Sequence, residues 1–283
     1  MTQAIQKKLN DSAFARWTAL ILVALTMFFG YMFVDVLSPL QNMLESTRGW
    51  SPTIFGLYGG SEFILNVCGF LLVAGIILDK MGVRFTGILS ASLMVLGAGI
   101  KFYGLSNYFY EGGFGYEFLS SFLTDIPASA KLACLGFMVF GCGTEMAGVT
   151  VSRAIVKWFT GKELALAMGL EMAIARLGVF AVFSLSPWVA NWGGDPSVAR
   201  PVAVVGLLLC IGLLTYIAFS VMDFKLDRQT EADTPIGETE EPFKVADLKN
   251  LFSSKTFLIV SALCVLYYSA IFPFQRFATG MLE

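Results

Sequence analysis

Seven runs of about 20 apolar residues recur along this chain, near 17–37, 53–78, 85–106, 131–152, 164–189, 200–222 and 256–275. Each is long enough to cross a bilayer. A backbone in hydrocarbon must satisfy its own hydrogen bonds, so the runs are expected to be helices. The chain therefore reads as an all-α polytopic membrane protein. Composition agrees: 56% of residues are apolar and only 14% charged, with a mean hydropathy of +0.71, too oily for a soluble globular domain. The first run is too long for a signal-peptide core and no small-x-small cleavage site closes it, so it reads as a retained span.

Lysine and arginine set the expected orientation. Lys7, Lys8 and Arg16 precede span 1, Lys80 and Arg84 separate spans 2 and 3, and Lys157 and Lys162 separate spans 4 and 5. Lys225, Arg228, Lys244, Lys249 and Lys255 follow span 6, whereas the other side has only Arg48, Lys101, Lys131, Arg200 and Arg276. The positive-inside rule puts the N-terminus and the 6–7 loop in the cytoplasm. Trp17 and Trp158 fall at the expected inner boundary, and Trp50, Trp188 and Trp192 at the outer one.

Two polar stretches interrupt the spans. Asp223–Asn250 is acidic and proline-containing and reads as a cytoplasmic linker, irregular or lying on the surface. The outer segment between spans 3 and 4, "SNYFYEGGFGYEFLSSFLTDIPASA", is too long for a tight turn and is expected to lie partly on the membrane surface. The expected organisation is a six-helix bundle over 1–222, a linker over 223–255 and the first helix of a truncated second bundle over 256–283. Six spans, a charged linker and one more span suggest part of a longer protein.

Several chemistries find no residues to carry them. Histidine is absent, so proton chemistry falls to carboxylates. Cys68, Cys134, Cys142, Cys210 and Cys264 all lie within apolar runs, without metal-site or disulfide spacing, and read as small packing residues. No G-x-x-x-x-G-K-[ST] pattern, nucleophile constellation or ligand cluster occurs. No cofactor, metal, ATP or nucleic acid is expected, and the chain does not read as an enzyme.

What remains is charge inside the spans. Glu145, in "GCGTEMAGVT", is about 13 residues into span 4, and Arg176 is about 12 residues into span 5 from the other side. Both lie near the bilayer midplane, where each charge costs about 2.5–3.5 kcal/mol. Such residues face a polar cavity or one another, and secondary transporters bind substrate at this depth. An acid and a base there suit a zwitterion, with Glu145 for an ammonium and Arg176 for a carboxylate; a structural Glu145–Arg176 ion pair is the alternative. Glu62 could line the cavity or couple protons, and Asn66, Tyr31 and Tyr58 are polar enough to line a pocket. Asp35, Arg153 and Glu171 are weaker candidates, Arg153 reading as an anchor at the inner end of span 4.

After span 2 comes "GIILDKMGVR", with Gly75, Asp79, Lys80, Gly82 and Arg84. It resembles the G-x-x-x-D-[RK]-x-G-[RK] signature of the major facilitator superfamily, in the loop where that family carries it. The resemblance implies two six-helix bundles, of which this chain has the first and the start of the second, and makes this loop a conformational latch. Gly75 would admit a neighbouring helix, Gly82 would permit a tight turn, and Asp79 would meet a basic side chain or a helix N-terminus of the other half. "VKWFTGKELALAMGLEMAIARLGV", with "GTEMAG" in span 4 and "YYSAIFPF" in span 7, is similar to the branch containing the lysosomal dipeptide transporters. In that branch a span-4 glutamate and a span-5 arginine engage the ends of a dipeptide; the matching positions are Glu145 and Arg176. "LNVCGF" retains Asn66 but departs from the branch around it.

The expectation is a secondary transporter working by alternating access on small peptides or amino-acid-like zwitterions, with the lipid bilayer and a small-molecule substrate as partners. A proton-coupled organic-anion transporter and a non-transporting scaffold or sensor remain alternatives. No acidic dileucine signal marks the N-terminal tail, so a plasma membrane of bacterial inner-membrane type is expected over a lysosomal one.

Overall fold

The computed structural model describes residues 8–231 and 252–282. The chain divides into two units, Met1–Thr234 and Pro235–Glu283. All regular structure among the described residues is helical. In the first unit the helices are α1 (Ala13–Val34), α2 (Gln41–Arg48), α3 (Pro52–Leu65), α4 (Leu71–Leu105), α5 (Asn107–Tyr110), α6 (Tyr116–Ser120), α7 (Ala128–Phe159), α8 (Leu164–Ala190) and α9 (Ala199–Glu231). The second unit has α10 (Lys255–Leu282), an apolar helix of membrane-crossing length that contains Pro273.

Local chemistry sets the ends of these helices. The hydroxyl of Ser12 accepts the Ala15 N–H at the start of α1, and Ser51 does the same for Ile54 at the start of α3, where Pro52 takes the first helical position. α2 ends on Gly49 with φ 69°, a left-handed conformation that a glycine adopts freely.

The separate second and third spans expected from hydropathy form one helical stretch, Pro52–Leu105, of 54 residues. It is interrupted twice. Asn66–Phe70 makes a wide π turn with Gly69 at φ 107°, and Gly82 has φ 74° and ψ 174°. The Gly82 conformation belongs almost solely to glycine, because any Cβ would clash with the backbone. The chain reverses there. Glu62 and Asp79 meet Gly141 and Arg153 in turn, parallel to α7, whereas Ser90 and Lys101 meet Gly143 and Gly136, antiparallel to it. Two crossings are thus joined by a one-residue turn.

α7 packs on α3, α4 and α1; α1 packs on α8 and α9; α9 packs on α4. The α4–α7 seam is a close backbone approach. A Cβ on Gly97 would lie 2.4 Å from the Phe140 nitrogen and 2.5 Å from the Gly136 oxygen. Aromatic side chains fill the space above, with Phe33 4.8 Å from Phe140 and Tyr58 stacked 4.7 Å from Phe137 between ring centroids.

Two features differ from the sequence reading. α9 runs through Glu231, so Asp223–Glu231 is helix and not irregular linker. Asp223 accounts for it: only 1% exposed, it accepts from Lys157 Nζ at 2.8 Å and Trp158 Nε1 at 2.9 Å, which keeps α9 against α7. Residues 232–250 of the expected linker lie outside the described residues. Lys101, counted among the outer flanking charges, is 0% exposed. Its ammonium lies 4.4, 5.0 and 4.5 Å from the ring centroids of Phe33, Tyr58 and Phe137, whose π faces attract the cation.

Candidate transport site

Glu145 lies at mid-helix in α7. The glycine seam fixes where it points. Gly136, Gly141 and Gly143 press α7 onto α3 and α4, and Glu145 falls on the remaining face with the exposed Val149, Ser152 and Val156. Glu145 is half-buried. Arg176 is at the middle of α8, on the face opposite the buried stripe Ala167, Glu171, Ala175, Gly178 and Val182. Its side chain is exposed, and its guanidinium lies 5.2 Å from the centroid of the Tyr31 ring on α1. Among the described residues Glu145 and Arg176 do not pair with each other or with any other charge. The structural ion pair considered from the sequence does not form.

The other candidates separate into two groups. Tyr31 joins the open face, beneath Arg176. Tyr58 and Glu62 do not. Tyr58 is fully buried against Phe137, and Glu62 is 3% exposed, its backbone carbonyl 2.1 Å from where a Gly141 Cβ would be. The reason is the missing side chain at Gly141, which lets α3 close on α7 and seals Glu62 between them. Asn66 stands at the π turn. There its N–H bonds to the Phe63 carbonyl, leaving the Glu62 carbonyl without its usual helical donor. The Asn66 side chain takes over that role, its Nδ2 donating to Glu62 O at 3.4 Å and to Gly141 O at 3.2 Å. Asn66 thus ties the broken span to α7, one helical turn from Glu145.

The latch residues lie at the end of the bundle that carries the N-terminus. Asp79 accepts from Arg153 Nη1 on α7. Within this unit, then, Asp79 has a partner on its own bundle, and Arg153 is that partner as well as a helix-end residue. Arg84 Nη2 is 3.3 Å from Asp227 Oδ2 and its Nε 4.0 Å from Asp223 Oδ2, and Lys157 bridges the same two carboxylates at 2.6 and 2.8 Å. Lys80 is exposed. A Cβ on Gly75 would meet nothing within 4 Å among the described residues, so its expected close approach is not made here. Sequence reasoning missed Asp223, Asp227 and Lys157 as members of this network. The signal was present: Asp223 and Asp227 are four residues apart, on one face of α9.

The family model of the Major Facilitator Superfamily matches residues 20–281. The chain belongs to the major facilitator superfamily. It is 35% identical over 145 residues to the lysosomal dipeptide transporter MFSD1 of Gallus gallus, covering 50% of this chain and 32% of that protein. Against the same-named protein of Bos taurus it is 34% identical over 147 residues, covering 50% and 31%. Against that of Pongo abelii it is 27% identical over 271 residues, covering 92% and 52%. The chain spans about half the length of the curated relatives it matches. No solved structure matches it significantly. Membership agrees with the all-helical, multi-pass reading of the chain. The aligned span includes Glu145, Arg176 and the Gly75–Arg84 loop.

Proposed function

We propose that the chain is part of a secondary carrier that moves small peptides or amino-acid-like zwitterions by alternating access, with α1–α9 forming one half and α10 opening the other. The observation that carries this reading is that opposite charges stand at mid-helix on two open faces without neutralising each other. Burying lone charges at that depth is costly unless a polar cavity or a charged ligand meets them. The relatives' printed names support a dipeptide as the ligand. They also support a lysosomal membrane of residence, against the plasma membrane expected from the N-terminal tail. Lys8, Arg16, Lys80, Arg84, Lys157 and Lys162 gather at one end of the bundle, which supports a cytoplasmic N-terminus.

Glu145 would hold the ammonium and Arg176 the carboxylate, the latter through its planar fork. Tyr31 holds the guanidinium from beneath. Losing either charged contact should weaken binding by about 1.5–3 kcal/mol, or about 10- to 150-fold. The test is peptide binding to the full-length carrier for wild type, Glu145→Gln and Arg176→Lys, with peptides blocked at either end. An N-acetylated peptide should bind wild type more weakly than the free peptide does, and lose little further in Glu145→Gln. Equal penalties for blocking in wild type and Glu145→Gln would remove Glu145 from the ammonium site.

A further inference from the structure

The segment between α4 and α7 plays no part in the site above, yet it is folded. Phe109 is fully buried, its ring edge-on to Tyr103 at 5.4 Å and to Tyr116 at 5.5 Å. Two cations fasten it to the bundle. Arg48 Nη2 donates to Leu105 O at 3.0 Å and to Asn107 Oδ1 at 2.5 Å, with the guanidinium 4.7 Å from the Tyr110 ring centroid. Lys131, in the first turn of α7, donates to the carbonyls of Leu119 and Phe122 and lies 4.6 Å from the Phe122 ring centroid.

A segment held this firmly turns large apolar side chains outward. Phe114 is 91% exposed, Phe118 72%, Tyr108 68% and Leu123 64%. Its height is set by the crossing that precedes it. From the Gly82 turn to Leu105 the helix rises about 34 Å at about 1.5 Å per residue. The hydrocarbon core is about 30 Å thick. Leu105 therefore reaches the far boundary, and the two cation tethers keep residues 107–126 beside it. The same end of the bundle carries Trp188 and Trp192, stacked at 5.4 Å and both exposed. The free charges of the segment, Glu111, Glu117 and Asp125, are all acidic.

We infer that residues 107–126 form an interfacial anchor whose exposed aromatic side chains rest in the headgroup layer of a zwitterionic bilayer, at the end opposite the N-terminus. Aromatic side chains favour this layer, where an apolar ring and a polar edge are both accommodated. The acidic side chains and the engagement of both cations turn the segment away from anionic headgroups. The inference does not depend on which solute is carried.

The test is nitroxide accessibility in the full chain, reconstituted in phosphatidylcholine vesicles. The label is carried on an unnatural residue at position 114 or, separately, 118, with Leu96 as a lipid-facing control and Lys80 as a water-facing one. Positions 114 and 118 should be relaxed by dissolved oxygen more than position 80 and less than position 96, with weak access for a water-soluble nickel complex. Adding phosphatidylglycerol should leave their depth unchanged or shallower. Strong nickel access at both positions would show the segment projecting into water and overturn the anchor. Protection from both reagents would show a protein covering this face and overturn it equally. A deeper position in phosphatidylglycerol would overturn the zwitterionic preference.

Discussion

At the scale of single residues, the α4–α7 seam depends on hydrogen atoms where other residues carry side chains. Gly97→Ala puts a methyl within 2.4–2.5 Å of backbone atoms of Phe140 and Gly136, which cannot yield as a side-chain tip would. The expected loss is about 1–3 kcal/mol, read as a lower melting temperature in detergent. Gly99→Ala, two residues along and with nothing within 4 Å, should be neutral or slightly stabilising. Equal effects from the two would argue against the close approach. This scale was the least legible in the sequence. Glu145 and Arg176 were found because a charge in an apolar run is conspicuous wherever it points. Glu62 is equally conspicuous, but its burial follows from an absent side chain at Gly141, far away in sequence. Lys101 reads as a boundary charge because nothing local announces that three rings from three other helices surround it.

At the scale of elements, the latch loop and the helix ends are joined by charge. Asp223 and Asp227 share Arg84 and Lys157, but only Asp223 is buried and only Asp223 accepts from Trp158. Asp223→Ala should therefore cost about 1–3 kcal/mol, since the buried Trp158 indole N–H loses its acceptor and Lys157 keeps only Asp227. Asp227→Ala should cost less than about 1 kcal/mol, as expected of a more exposed pair. Melting shifts of equal size would count against this division. A second clasp joins the N-terminal turn to the α7–α8 junction. Lys162 Nζ is 3.0 Å from Asp11 Oδ1, and Arg16 Nη2 is 3.1 Å from Glu163 Oε2. The Lys162 hydrogen bond lowers the Asp11 carboxyl from its ordinary 3.8, and the backbone N–H of Glu163, then Arg16, lowers Glu163 from its ordinary 4.5. Both are depressed in the folded chain. Their contribution is complete above those ordinary values and is lost as pH falls through the lowered ones. Hydrogen exchange at residues 9–16, corrected for its intrinsic pH dependence, should stay slow at pH 5 and above and quicken only below about pH 4. Quickening already between pH 7 and pH 5 would contradict the assignment. The helices themselves were legible, because hydropathy and length report them directly. The extension of α9 through Glu231 was not, because Asp223 reads as a solvated linker residue until Trp158 is placed beside it.

At the scale of the whole molecule, the bundle has two chemically different ends. One gathers lysine and arginine, paired with Asp11, Asp79, Glu163, Asp223 and Asp227; the other turns large aromatic side chains outward. A cysteine in place of Lys80 and one in place of Ser121, both exposed positions, should therefore react with a membrane-impermeant maleimide from opposite sides of sealed vesicles of known sidedness. The Lys80→Cys site should react from the cytoplasmic side. Labelling of both from one side would invert the topology.

The turn at Gly82 bears on how the chain enters a membrane in the first place. With one residue between two apolar helices there is no loop for an insertion machinery to thread, so the pair must go in side by side. Asp79, Lys80 and Arg84 would then never leave the side on which they were made. Inserting a few glycine–serine pairs after Gly82, with a glycosylation acceptor among them, measures this: the acceptor should stay unmodified, whereas modification would show the helices entering one at a time. The same tightness couples the two crossings: with only Gly82 between them, a tilt of the segment that follows the Gly69 break shifts the start of the crossing that carries Lys101.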